Sequence, residues 1–190
     1  MDTDSLLALL KSVANGRLPV KDAAAKLRHI GYEDIEYAHV DHHRSLRKGF
    51  PEVIFGQGKN ADQIIGIMDK MMDQENVILI TRLEEDKAGA VIERFPKAVY
   101  HPDARMLVWQ LEKPRIIGRG TICIISAGTS DIPVAKEAYL TAKAMGNRVK
   151  TIFDVGVAGI HRLFSHKESI DEASVLVVVA GMEGALPSVV

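Results

Sequence analysis

Thr121-Ile-Cys-Ile-Ile-Ser126, followed by Ala127-Gly-Thr-Ser-Asp131 and Ile132-Pro133, reads as an apolar strand that ends in a turn and opens a helix. The helix spans Pro133–Met145 and is closed by Gly146. The alternation continues downstream. Arg148–Phe153 is a strand, Asp154-Val-Gly156 a turn, residues 159–166 a helix, Ser174–Val179 an apolar strand and Ala180–Gly184 a further turn. Near-continuous apolar strands joined by helices predict a parallel sheet covered on both faces. Ligands of such sheets bind beyond the carboxyl ends of the strands, which is where all three turns lie.

Upstream, Leu111–Pro114 and Gly118–Gly120 read as a linker. Before it, Glu52–Phe55, Val77–Thr81, Ala98–Tyr100 and Met106–Trp109 are short strands. Asn60 caps a helix carrying Ile64, Ile65, Met68, Met71 and Met72, and residues 84–94 form another, which makes a small α/β layer. Leu6, Leu9, Leu10 and Val13 keep helical spacing, and so do Val20, Ala23, Ala24, Leu27 and Ile30, with Gly31 at the stop. The expected organisation is a helical hairpin (1–31), a small α/β domain (32–115) and a parallel-sheet domain (116–190). The chain stops at Pro187-Ser-Val-Val190 without a helix-stop signal. A three-stranded parallel sheet leaves an open apolar edge, so the last domain is expected to be incomplete at its C-terminus.

Composition narrows the class. The 190 residues are 47% hydrophobic and 26% charged, with 24 Lys+Arg against 25 Asp+Glu. That balance predicts neither a basic footprint for nucleic acid nor an acidic tail. The single cysteine, Cys123, excludes an internal disulfide framework and a Cys₄ zinc site. Asp2 and Asp4 interrupt any signal-peptide pattern, and no apolar run reaches membrane-spanning length. The expectation is a cytoplasmic α/β protein without nucleic-acid or membrane partners.

Three turns carry candidate chemistry. In Ser126–Asp131, Gly128 permits close backbone approach, Ser130 or Asp131 can cap the helix, and Pro133 suits its first turn. Free amides and hydroxyls there would suit a phosphate, although an ordinary strand-to-helix connection has the same pattern. In Asp154–Arg162, Asp154 at a strand end could hold a ribose hydroxyl or a metal-bound water, and His161 could titrate near neutrality. A capping Asp and a surface His-Arg pair would look alike. In Ala180–Pro187, Glu183 is the one charge between Ala173 and Val190. Apolar surroundings would raise its pKa and fit it for acid, base or ligand work; a solvated turn carboxylate is the alternative. Arg44, Arg47, Lys48 and Lys59 could supply cations for a pyrophosphate, or form a solvated charge run. His39, His42 and His43 lack the further ligands a metal site needs. Cys123 lies within an apolar strand and reads as a small buried hydrophobe.

Four strings resemble a known family: Arg44-Ser-Leu-Arg-Lys-Gly-Phe-Pro-Glu-Val-Ile-Phe-Gly-Gln-Gly-Lys59, Ser126-Ala-Gly-Thr-Ser-Asp-Ile-Pro-Val-Ala135, Asp154-Val-Gly-Val-Ala-Gly-Ile-His-Arg162 and Val179-Ala-Gly-Met-Glu-Gly-Ala-Leu-Pro-Ser-Val-Val190. They are similar to LarB, the carboxylase/hydrolase that begins synthesis of the nickel-pincer nucleotide of lactate racemase. The C-terminal part also resembles PurE-type aminoimidazole ribonucleotide carboxylases. Ser130-Asp131 fit the end of their phosphate loop, but Ala185 stands where that family has His, and Glu183 where it has Ala. These departures argue against an imidazole ribonucleotide substrate; a non-catalytic nucleotide-binding module is the other alternative.

The resemblance implies a three-layer, flavodoxin-like and PurE-like C-terminal fold. It implies carboxylation of the pyridinium ring of nicotinic acid adenine dinucleotide by CO₂. Hydrolysis of the phosphoanhydride then yields AMP and a pyridinium-3,5-biscarboxylic acid mononucleotide. It also implies magnesium in the hydrolytic half, a homo-octamer, and a cysteine thiolate downstream of Gly184-Ala-Leu-Pro187, a role Cys123 does not match. On that basis Ser126, Gly128, Thr129, Ser130 and Asp131 would cradle the nicotinate-side phosphate and ribose, with Gly156 and His161 also binding substrate. Asp154 and Glu183 would position water or a metal for anhydride cleavage, and Arg44 and Lys59 would neutralise phosphate charge or orient a second subunit's ligand.

Overall fold

The computed structural model describes residues 3–27, 32–41, 44, 48–50, 52–73 and 75–190. They fall into two units, residues 1–99 with 107–112, and residues 100–106 with 113–190. The chain therefore passes between the two units more than once. His42, His43, Arg47 and the Ile30-Gly31 helix end lie outside the described residues.

In the first unit, helices α1 (Thr3–Ala14) and α2 (Val20–Leu27) precede a small antiparallel pair, β1 (Tyr32–Asp34) and β2 (His39–Asp41). Strands β3 (Val53–Phe55), β4 (Val77–Thr81), β5 (Val99–His101) and β6 (Met106–Gln110) form one mixed sheet in the order β3-β4-β6-β5, of which Tyr100, His101 and Met106 count with the second unit. β3 is parallel to β4, and β4 antiparallel to β6. Helix α3 (Ala61–Met72) starts where the sequence places it. The Asn60 side-chain oxygen accepts from the Gln63 amide at 2.8 Å, and the Gln63 side chain accepts from the Asn60 amide at 3.1 Å. Its spacing buries Ile64, Ile67, Met68 and Met71 on one face. Helix α4 (Glu85–Arg94) buries Ala88 and Val91 in the same way.

In the second unit, β7 (Thr121–Ser126) is flanked by β8 (Arg148–Ile152) and β9 (Val175–Val179), both parallel to it. Cys123 and Ile125 join Ile152, Val155, Leu163 and Leu186 in one core cluster. Ile124 points the opposite way and is also fully buried. A strand sealed at successive residues is covered on both faces. Helix α5 (Ile132–Ala144) packs against all three strands. Helix α6 (Ile160–Phe164) supplies Leu163 to the cluster. The helix expected over 159–166 is broken: a 3₁₀ turn at Val157–Gly159 precedes α6, and a separate helix α7 (Lys167–Asp171) follows it. β9 is an edge strand, so Val175 and Leu176 remain 51% and 37% exposed although their strand is wholly apolar.

The chain is thus mixed α/β with parallel strand pairs. The order β8-β7-β9 is compatible with the first three strands of a flavodoxin-like sheet, second-first-third. Among the described residues no helix is long and apolar enough to cross a membrane.

Candidate functional site

In a sheet of this order the chain reverses its direction of winding between β7 and β9, and the loops leaving those two strands part to form a crevice. The loop after β7 is a 3₁₀ turn, Thr129–Asp131, that runs straight into α5. Asp131 stands at the head of α5, but its side chain makes no cap bond to that helix. Its carboxylate turns back instead. One oxygen accepts from the Gly128 amide at 2.9 Å, the other from the Gly181 amide at 3.0 Å. Asp131 is therefore a tie between the two loops that wall the crevice, rather than a helix cap.

The tie settles which donors remain for a ligand. The Gly128 amide is taken by Asp131, and the Asp131 amide by the Gly128 carbonyl at 3.1 Å. The amides and hydroxyls of Thr129 and Ser130 lie exposed at the start of the turn, where a helix end leaves its N–H groups unpaired. Ser126 is completely buried: its hydroxyl accepts from the Asp154 amide at 3.4 Å and its carbonyl from the Val155 amide at 3.1 Å. It belongs to the wall of the crevice, not to the donors facing it. Gly156 closes the floor, because a Cβ there would stand 2.9 Å from the Ala127 carbonyl oxygen.

Asp154 follows β8 with φ +59, and its carboxylate meets the Arg162 guanidinium at 2.6 Å. Arg162 lies across Gly159, where a Cβ would approach its Nε to 2.6 Å. Arg162 is a cation that the sequence reading left as part of a surface pair. Its signal was the Gly159-x-x-Arg162 spacing, which leaves room for the guanidinium to fold back toward Asp154. Neighbouring His161 is exposed on α6. Glu183 is exposed on the β9 loop at φ +39, just before Gly184 at φ +62. Of the two readings open from the sequence, this is the solvated turn carboxylate. The turn throws the side chain outward, so the burial on which its acid–base role rested is absent.

Arg44 and Lys59 lie in the first unit. Arg44 stacks over the Phe50 ring, 5.3 Å from its centroid, and its buried Nε has no hydrogen-bond partner among the described residues. Lys59 is half-buried in the Gly56–Lys59 turn, its amide bonded to the Gly56 carbonyl at 3.2 Å. Cys123 is fully buried in β7, and burial raises its thiol pKa, which suits a packing residue and not a nucleophile. Among the described residues no three His, Cys, Asp or Glu side chains converge on a point where a metal could sit.

Residues 32–112 match the family described as the LarB/PurE-like N-terminal domain. The chain is also 37% identical over 194 residues to an uncharacterised protein of Methanocaldococcus jannaschii, covering 98% of this chain and 76% of that protein. The family match falls on the small mixed sheet and its flanking elements, while the similarity to the archaeal protein extends through the crevice. The chain belongs to the LarB family, a family of carboxylase type.

Proposed function

We propose that the crevice between β7 and β9 binds the nicotinate mononucleotide half of nicotinic acid adenine dinucleotide, for carboxylation of the pyridinium ring and release of AMP. The observation that carries this reading is the Asp131 tie, which holds two loops at fixed separation and leaves the Thr129 and Ser130 donors facing outward. Two amides and two hydroxyls in the 3₁₀ turn that leads into a 13-residue helix suit a phosphate. Arg162, already paired with Asp154 at 2.6 Å, would share its remaining guanidinium donors with the phosphate.

Carboxylation exchanges a ring hydrogen, lost as a proton, for CO₂. The electron-poor ring attacks CO₂ only after a thiolate has added to it and made it enamine-like. Cys123 is buried in β7 and does not supply that thiolate. Hydrolysis sends a water to one phosphorus of the anhydride, with AMP as leaving group. Asp154 and Glu183 are the carboxylates available to orient it. Asp154 is held by Arg162 and Asp131 is spent on amides, and among the described residues no three His, Cys, Asp or Glu side chains converge on a cation position. Any magnesium would be carried chiefly by the substrate phosphates.

Calorimetry with the dinucleotide should give binding that Ser130→Ala weakens and Asp131→Ala abolishes. Undiminished affinity in both variants removes the loop from the site. In an active enzyme with bicarbonate, mass spectrometry should find AMP and a mononucleotide bearing one added carboxylate, and Glu183→Gln should slow AMP release. Unchanged release retires Glu183 from the hydrolytic role.

A further inference from the structure

A second hollow of about 780 Å³ lies in the same unit, away from the crevice. Five consecutive residues, Val149–Phe153, line it. Successive strand residues point to opposite faces, so a hollow touching all five runs along the outer edge of β8 and not over a face of the sheet. Its volume lies within the about 300–1,000 Å³ typical of small-molecule sites. Arg148 and Lys150 are exposed on this edge, and such charges discourage pairing by another strand. A small ligand therefore suits the hollow better than a peptide.

Three lysines line it, and two are already neutralised. Lys136 is paired with Asp103, and Lys150 with Glu172 at 3.0 Å. Lys143 is bonded to the neutral hydroxyl of Tyr139 at 3.1 Å, and its Nζ stands 5.3 Å from that ring's centroid. His101 also lines the hollow. Burial, helped by the charge of Lys143, holds its pKa below the ordinary value, so it is a neutral imidazole at pH 7. The other charged groups lining the hollow are Asp103, Lys136, Lys143 and Lys150, with His166 and two tyrosine hydroxyls. The lining thus combines flat rings with one cation that lacks a carboxylate partner. An incoming phosphate would replace a neutral partner of Lys143 with a charged one, and such bonds are about twice as strong.

We propose that this hollow is a second ligand site that takes a nucleoside monophosphate, its phosphate on Lys143 and Tyr139 and its base against the aromatic lining. Lys143 lies in the last turn of α5, which leads into the start of β8, so its cation sits toward the end of the sheet opposite the crevice. The ligand here is therefore a separate molecule from the one in the crevice.

The test is titration of the whole chain with AMP, adenosine and inorganic phosphate, followed by calorimetry and by the NMR signals of His101. AMP should bind more tightly than either part and should raise the pKa of His101, because an anion arrives beside it. Lys143→Met should weaken AMP at least tenfold, and Tyr139→Phe by a smaller factor. Lys143 is exposed, so the variant should fold, which circular dichroism checks. A lysine that serves only the negative end of α5 would change the melting temperature and leave AMP affinity untouched, and that result overturns the proposal. So does phosphate binding as tightly as AMP, or AMP leaving His101 unmoved. Dinucleotide binding at the crevice is read separately through Asp131→Ala.

Discussion

Replacing Asp131 by Asn isolates the tie between the two loops with almost no change of shape. The carboxylate accepts two amides, Gly128 at 2.9 Å and Gly181 at 3.0 Å. Asparagine keeps one acceptor oxygen and sets an NH₂ group against the other amide, so one bond is lost and two donors face each other. A hydrogen bond to a charged group contributes about 1.5–3 kcal/mol when shielded. The Gly128 bond is part-buried and the Gly181 bond exposed, so water replaces much of what is lost. The lower end applies: about 1–2 kcal/mol for Asp131→Asn and about 2–3 kcal/mol for Asp131→Ala, which loses both bonds. About 1.4 kcal/mol corresponds to a tenfold change in an equilibrium. Amide hydrogen exchange of Gly128 and Gly181, followed by NMR, should therefore quicken by roughly an order of magnitude for the orphaned amide in Asp131→Asn. It should quicken for both in Asp131→Ala. Trp109 fluorescence, reporting from β6 in the first unit, checks that the rest of the chain stays folded. Unchanged exchange at both glycines in the alanine variant refutes the tie.

Gly156→Ala should destabilise the second unit by about 1–3 kcal/mol in a thermal melt, since the new Cβ meets a backbone oxygen that cannot rotate away. At φ −60 the backbone itself accepts alanine, so a neutral result would mean that the Ala127 contact relaxes freely. Cys123 should resist iodoacetamide until the protein unfolds, and Cys123→Ala should leave dinucleotide binding intact while Cys123→Ser lowers stability by leaving a hydroxyl unpaired in the core. Alkylation in the folded state would contradict the burial. The lowered pKa of His101 means that the unfolded chain binds its proton first as the pH falls. This contribution to stability therefore declines as the pH drops below about 6.5 toward the lower folded value, and is constant above it. Urea melts from pH 8 to pH 5 should show a shallower acid-side loss in His101→Gln, and parallel curves would dismiss the histidine.

Local signals carried the fold a long way. Val77–Thr81 and Thr121–Ser126 stand as strands at the expected residues, because short apolar runs between turn signals have few other options. Asn60, read as a cap, stands at the start of α3 with a bond to the Gln63 amide that closes within one turn. The candidate site was less legible, because its decisive contacts are not local. Asp131 and Gly181 are 50 residues apart, and only the parallel register of Ser126 on Val179 brings their loops side by side. Sequence spacing therefore favoured the nearby role, capping α5, over the one adopted. For Glu183 the sequence left two readings open, for a related reason. Its neighbours in sequence are apolar, but Leu186 turns into the core while the positive φ at 183 and 184 directs the carboxylate to solvent. Hydrophobicity along the chain reports what a segment can bury, not which of its side chains face the same way. That distinction also decides the chemistry of the crevice. A string rich in Ser, Thr and Asp offers many donors and acceptors on paper. Once Ser126 is sealed in the wall and Asp131 has spent its oxygens on two amides, the capacity this loop keeps for an anion reduces to Thr129 and Ser130. An anion held there approaches a carboxylate that is already committed to the protein, so a phosphate can dock without first displacing Asp131.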